Sequence, residues 1–130
     1  MFRVEVLNRV EAQEIAERIS EISRYVRFAG IINSGGGLIA YIRRSDLKPM
    51  LNTKNTKNKF THLATQSGMA AQFNKQLGCV KFLWEEREKV QTISFALGKN
   101  TVWISIDRNV VRSEVLRIID NCLPIVKHYQ

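Results

Sequence analysis

Acidic side chains are almost missing from the middle of this chain. Between positions 25 and 77 there is one, Asp46, against eight lysines and arginines. Proline and cysteine are scarce too, with two residues each. Two cysteines exclude a disulfide-dense scaffold. Cys79 and Cys122 lie in apolar stretches without the spacing of a zinc site, so both are expected as core thiols. No apolar run approaches the ~20 residues of a membrane span. The opening MFRVEVLNRVEAQ has neither an apolar h-region nor a small-residue cleavage site, so a cytoplasmic protein is expected. Two histidines, His62 and His128, are the only imidazoles. Neither sits in a pattern that supplies a nucleophile and an orienting acid for a hydrolytic triad.

What is present suits one globular domain over residues 1–130. The chain is 45% hydrophobic and 25% charged, ordinary for a packed core. Its net charge of +8 is uneven. Residues 1–24 carry four arginines and five glutamates, and residues 78–130 carry eight basic and six acidic groups. The excess therefore belongs to the middle segment. A patch of this kind attracts acidic proteins, nucleic acid or anionic surfaces.

Residues 26–44, VRFAGIINSGGGLIAYIRR, organise the rest. Two apolar runs flank Asn33-Ser34-Gly35-Gly36-Gly37, a hairpin turn signal. In the first run Val26, Phe28, Gly30 and Ile32 are expected on one face, with Ala29 and Ile31 on the other. A strand apolar on both faces belongs inside a sheet. In the second run Leu38, Ala40 and Ile42 alternate with Ile39, Tyr41 and Arg43. The Gly-rich cluster is not a phosphate loop, because a strand follows it and the Lys-Ser/Thr of that motif is absent.

Upstream, Asn8 followed by Glu11 reads as a helix start. Ala12, Ile15, Ala16, Ile19 and Ile22 then recur at helical spacing, to about residue 24. Residues 1–7 read either as an extension of that helix or as an extended arm. After the hairpin, residues 45–58 read as a loop rich in Asn and Lys. A second helix is expected from about Lys59. Phe60, Leu63, Ala64, Ser67, Ala71, Asn74 and Leu77 form one stripe, and Met69 and Phe73 a second apolar strip. Three strands follow at residues 79–87, 90–97 and 101–106. Val80, Phe82 and Trp84 share a face of the first. Residues 107–109 offer caps for a last helix bearing Val111, Val115, Ile118, Ile119, Cys122 and Val126. Pro124 is expected to kink or shorten it, and its tail to fray.

The order αββαβββα implies an α/β (α+β) fold: one five-stranded antiparallel sheet with helices on both faces, the first strand beside the fifth. This order, over the whole chain, resembles the roadblock/LC7 domain within the profilin-like and longin-like group. The segments VRFAGII (26–32), REKV (87–90) and ISFALG (93–98) are similar to those of a family of small archaeal proteins with no established activity. The roadblock resemblance implies a non-enzymatic module that dimerises by pairing third strands edge to edge and packing second helices together. It also implies small Ras-like GTPases or larger scaffolds as partners. Carried to this chain, the dimer surface would comprise Met69, Phe73, Val80, Phe82 and Trp84.

Two other readings stay open. Arg43, Arg44, Lys48, Lys54, Lys57 and Lys59 form a basic contact surface for an acidic protein, or for nucleic acid through phosphate contacts. That segment lacks interleaved aromatics for base stacking. A small-molecule pocket between sheet and helices is the third. No catalytic residue, metal ligand set or cofactor is implied.

Overall fold

The computed structural model describes residues 7–130. The arm or helical extension expected at the N-terminus lies, apart from Leu7, outside the described residues. Helix α1 (Arg9–Ser20) begins where Asn8 Oδ1 accepts the Glu11 N–H at 2.8 Å. That bond satisfies one of the donors a helix start leaves unpaired. Ala12, Ile15, Ala16 and Ile19 are fully buried along its inner stripe.

Five strands follow among the remaining elements: β1 (Val26–Ile32), β2 (Leu38–Arg43), β3 (Leu83–Glu86), β4 (Val90–Leu97) and β5 (Asn100–Asp107). They form one antiparallel sheet in the order β2-β1-β5-β4-β3. The five-stranded sheet, the β1–β5 pairing and the edge positions of β2 and β3 agree with the sequence reading. The helices are α2 (Thr53–Ala71), the single turn α3 (Asn74–Leu77) and α4 (Arg112–His128). Helices α1 and α4 cover one face over a large aliphatic core, including Ile93, Phe95, Val102, Ile104 and Ile106. Helix α2 covers the other through Phe60 and Leu63, which pack with Phe28 and Ile32.

Several expectations change. Register shifts at Arg27 and at Ile39 break the strict alternation of β1 and β2. An extra residue in a ladder turns the side chains beyond it to the other face. Val26 therefore joins Ala29 and Ile31 in the α1/α4 core instead of siding with Phe28, and Ile39 packs there together with Ala40 and Ile42. Helix α2 starts six residues before the expected Lys59. Asn52 Oδ1 caps it by accepting the Asn55 N–H at 2.8 Å, so the irregular stretch spans only residues 44–52. The main stripe of α2 is also shorter than expected. Phe60 and Leu63 are buried, whereas Ala71 and Leu77 are exposed. Strand β3 starts at Leu83 rather than 79, and Cys79 is exposed instead of in the core. Cys122 is buried, which pushes its thiol up to about 12.

At the C-terminal end, Val111 takes the N-cap position of α4 without a side-chain bond, in place of residues 107–109. The helix runs through Pro124 to His128. The tail is tied down as well: the Tyr129 hydroxyl donates to Glu14 Oε2 at 3.0 Å, and Gln130 Nε2 donates to the Ala96 carbonyl at 3.0 Å.

Candidate functional site

Two surfaces gather the residues that the sequence singled out, and both belong to the α2 side of the sheet. The first follows the C-terminal half of α2 into β3. Met69 is 61% exposed, Phe73 58% and Leu77 82%. Leu83, on the edge strand, is 43% exposed. Leu83 aligns across the sheet with Ser94, Trp103, Gly30 and Tyr41. Trp103 packs with the α2 cluster, so Leu83 shares that face. Phe82 and Trp84 instead pack against the α1/α4 core. Trp84 Nε1 donates to Gln91 Oε1 at 3.0 Å, and Gln91 Nε2 donates to the Val110 carbonyl at 3.0 Å. This partly buried relay ties the edge strand to β4 and to the segment before α4. Val80 lies half-buried before β3 begins.

Leu77 is the surface residue that sequence reasoning missed, whereas Leu83 lies inside the 80–86 segment that the resemblance put at the dimer surface. Periodicity placed Leu77 in the packed stripe of α2, and the break after Ala71 undoes that assignment. The charges on the edge are settled within the chain. Glu85 pairs with Arg87, and Glu86 with Arg112. The Arg87 hydrogen bond holds the Glu85 carboxyl below its usual value against the opposing effect of burial, with Lys59 and His62 adding to it. Arg112 does the same for Glu86.

The second surface is a cavity of about 220 Å³ between the sheet, the start of α2 and residues 44–52. Its floor is aromatic. The Phe28 ring lies 5.6 Å from Tyr41, 6.4 Å from Phe60 and 5.6 Å from Trp103, centroid to centroid. Gly30 makes this possible: a Cβ there would stand 2.6 Å from Cε1 of the Phe28 ring. Gly36 ties the hairpin turn to α2 in a similar way. Its φ is +86°, and a Cβ would meet the Thr61 Cα at 2.9 Å. Asn33 holds that turn by accepting the Gly35 and Gly37 N–H groups, each at 2.9 Å.

The six basic residues part company around this cavity. Arg43, Lys48 and Lys59 line it, from the end of β2, the 44–52 segment and α2 respectively. The Arg43 guanidinium stands 5.1 Å from the Phe28 ring centroid. Lys54 and Lys57 are exposed on the first turns of α2. Arg44 is engaged internally, donating to Asp107 at 3.0 Å and to Asp46 at 2.8 Å. Arg27 also bonds Asp107, at 3.0 Å. Burial by itself would raise the Asp107 carboxyl, but the bonds from Arg44 and Arg27 outweigh it and hold the group below its ordinary value.

Among the described residues no group of three His, Cys, Asp or Glu side chains is placed to hold a metal. No helix among them is long and apolar enough to cross a membrane. Searches with protein-family models and against curated protein sequences found no match. Solved structures do match in fold. A roadblock/LC7 domain from Streptomyces avermitilis superposes with a TM-score of 0.64 at 8% identity, covering 89% of this chain and 92% of that one. MglB from Myxococcus xanthus gives 0.66 at 12%, covering 91% and 93%. An MglB described with a tetrameric arrangement gives 0.64 at 16%, covering 100% of each chain. The chain has the roadblock/LC7 fold, as the order of its elements implies.

Proposed function

We propose that this protein is a non-catalytic adaptor of roadblock/LC7 type that self-associates and presents its basic side to an acidic protein partner, with a small GTPase as the leading candidate. The observation that carries this reading is the set of exposed large apolar side chains Met69, Phe73 and Leu77 after the packed part of α2, together with Leu83 on a sheet-edge strand. Large apolar side chains clustered beside an open edge suit a contact with another chain. The acidic residues of β3 that would guard such an edge are neutralised by Arg87 and Arg112. The tetrameric arrangement described for one structural neighbour supports self-association. In the proposed dimer, β3 strands pair edge to edge and α2 helices pack together, with Phe73 near the centre.

Light scattering across protein concentration, at low and high salt, tests this directly. A dimer that persists at high salt is expected, because apolar contacts are not screened. A monomer at every concentration would overturn the reading. A titration with RNA and DNA would then test Lys54 and Lys57 as phosphate contacts, with steep salt dependence as the signature.

A further inference from the structure

The cavity over the sheet has features that self-association does not use. Thr92 and Ser105 face each other across β4 and β5 and line its floor. They are 6% and 7% exposed. No buried side-chain oxygen among the described residues lacks a hydrogen-bond partner, so the two hydroxyls enter as polar groups on the cavity wall and not as an unmet demand. Beside this pair Phe28, Phe60 and Trp103 also line the cavity. At the rim stand Arg43, Lys48 and Lys59, which form no ion pair among the described residues. No Asp or Glu lines the cavity. By contrast, the broader depression of about 870 Å³ beside Asp107 includes both Asp107 and Glu114.

We propose that this cavity binds a small aromatic anion, its ring against Phe28 and Trp103 and its acidic group held by Arg43, Lys48 and the Thr92 and Ser105 hydroxyls. Size limits the ligand. At about 220 Å³ the space falls below the ~300–1,000 Å³ of sites for drug-sized molecules, so one ring and one acidic group fill it. Charge decides its sign, because five cations and no carboxylate line it, and of the five only Arg27 and Arg87 are held in ion pairs, with Asp107 and Glu85. Ring stacking and guanidinium contacts supply shape selectivity. The acidic group is a carboxylate or a phosphate, and the two share this recognition chemistry.

Trp103 reports on the site and Trp84 does not, since it packs on the opposite face. The experiment titrates the Trp84→Phe protein with benzoate, phenyl phosphate, benzyl alcohol and inorganic phosphate while following Trp103 fluorescence. Wild-type protein followed by the Trp103 indole NMR signal serves if that variant does not fold. Saturable binding of benzoate or phenyl phosphate is expected, at least tenfold tighter than benzyl alcohol or inorganic phosphate. Whichever aryl anion binds identifies the acidic group. An Arg43→Ala/Lys48→Ala protein should bind at least tenfold more weakly. The inference is overturned if neither aryl anion saturates by about 10 mM, a concentration that exposes even millimolar affinity. It is equally overturned if benzyl alcohol or inorganic phosphate binds as well as the aryl anions, or if the double variant binds like wild type. Repeating the titration on Phe73→Asp separates this site from self-association, because the cavity does not include Phe73.

Discussion

Asp107 shows how one carboxylate fastens three parts of the chain. It ends β5, and it receives Arg27 from β1 and Arg44 from just after β2. Its pKa is lower folded than unfolded, so the folded protein binds fewer protons than the unfolded chain around that range. The resulting stability is complete above the unfolded value of about 3.9 and is lost as pH falls through the lower folded value. Asp107→Asn should lower stability at pH 7 by about 1–2 kcal/mol, a modest figure because the cluster is partly solvated. Urea unfolding at pH 7 and pH 3 measures both effects. The variant should lose less stability than wild type between the two pH values, and superimposable acid limbs would exclude the cluster as a contributor. Gly30 makes a different kind of demand. Its missing Cβ lets the Phe28 ring lie across the sheet, and that ring is held among Tyr41, Phe60 and Trp103. Gly30→Ala should cost about 1–3 kcal/mol through overpacking. A loss of unfolding free energy in urea smaller than a few tenths of a kcal/mol would mean that the ring moves aside freely.

Among the elements, α2 is divided between two tasks. Its first half anchors Phe60 and Leu63 on the sheet, while its second half carries Met69 into solvent. The small residues Ala64, Ser67, Gly68, Ala70 and Ala71 bury little apolar area of their own, so the second half gains little from the sheet of a single chain. If this surface is an interface, Phe73→Asp should yield a monomer by sedimentation with an unchanged far-ultraviolet circular dichroism spectrum. A dimer of undiminished stability in that variant would contradict the assignment. Helix α4 carries its own local conflict. Pro124 stands inside the helix and is exposed, so its ring contributes little packing while the bond from its missing N–H is absent. Pro124→Ala should stabilise the protein by about 1–3 kcal/mol, read as a higher midpoint in thermal unfolding. An unchanged or lower midpoint would show that the chain gains from the proline elsewhere.

On the scale of the whole molecule, the two faces of the sheet differ in character. The face under α1 and α4 is a continuous aliphatic core. The face under α2 is a smaller aromatic cluster beside an open cavity, with a basic rim and an exposed apolar flank. The deeper core secures the fold, and the thinner face leaves more of its surface exposed. The self-association proposed for the flank should persist from low to about 1 M salt, where the Debye length is only ~3 Å, whereas the proposed binding of an acidic partner to Lys54 and Lys57 should weaken steeply. Light scattering and a partner titration over the same salt series would show both trends. A dimer dissociated by salt alone would point to charge rather than apolar contact as its basis.

The sequence by itself determined the order of elements, the pairing of β1 with β5 and the buried stripes of α1 and α4. Those features are local periodicities of apolar side chains, and they survive because tertiary packing uses the same faces that periodicity marks. It also marked Met69 and Phe73 as a strip distinct from the main stripe of α2. Only the tertiary structure decided that Val26 and Ile39 turn toward α1, because a bulge depends on which residue lies opposite in the partner strand. The early start of α2 depended on the Asn52 cap, in a segment whose composition reads equally well as loop. Arg44, one of six similar cations in the sequence, was separated from the rest only when folding brought Asp107 from 63 positions away. The aromatic cavity, finally, needs Phe28, Phe60 and Trp103 from three distant segments, and no local pattern records a convergence that long-range packing alone creates.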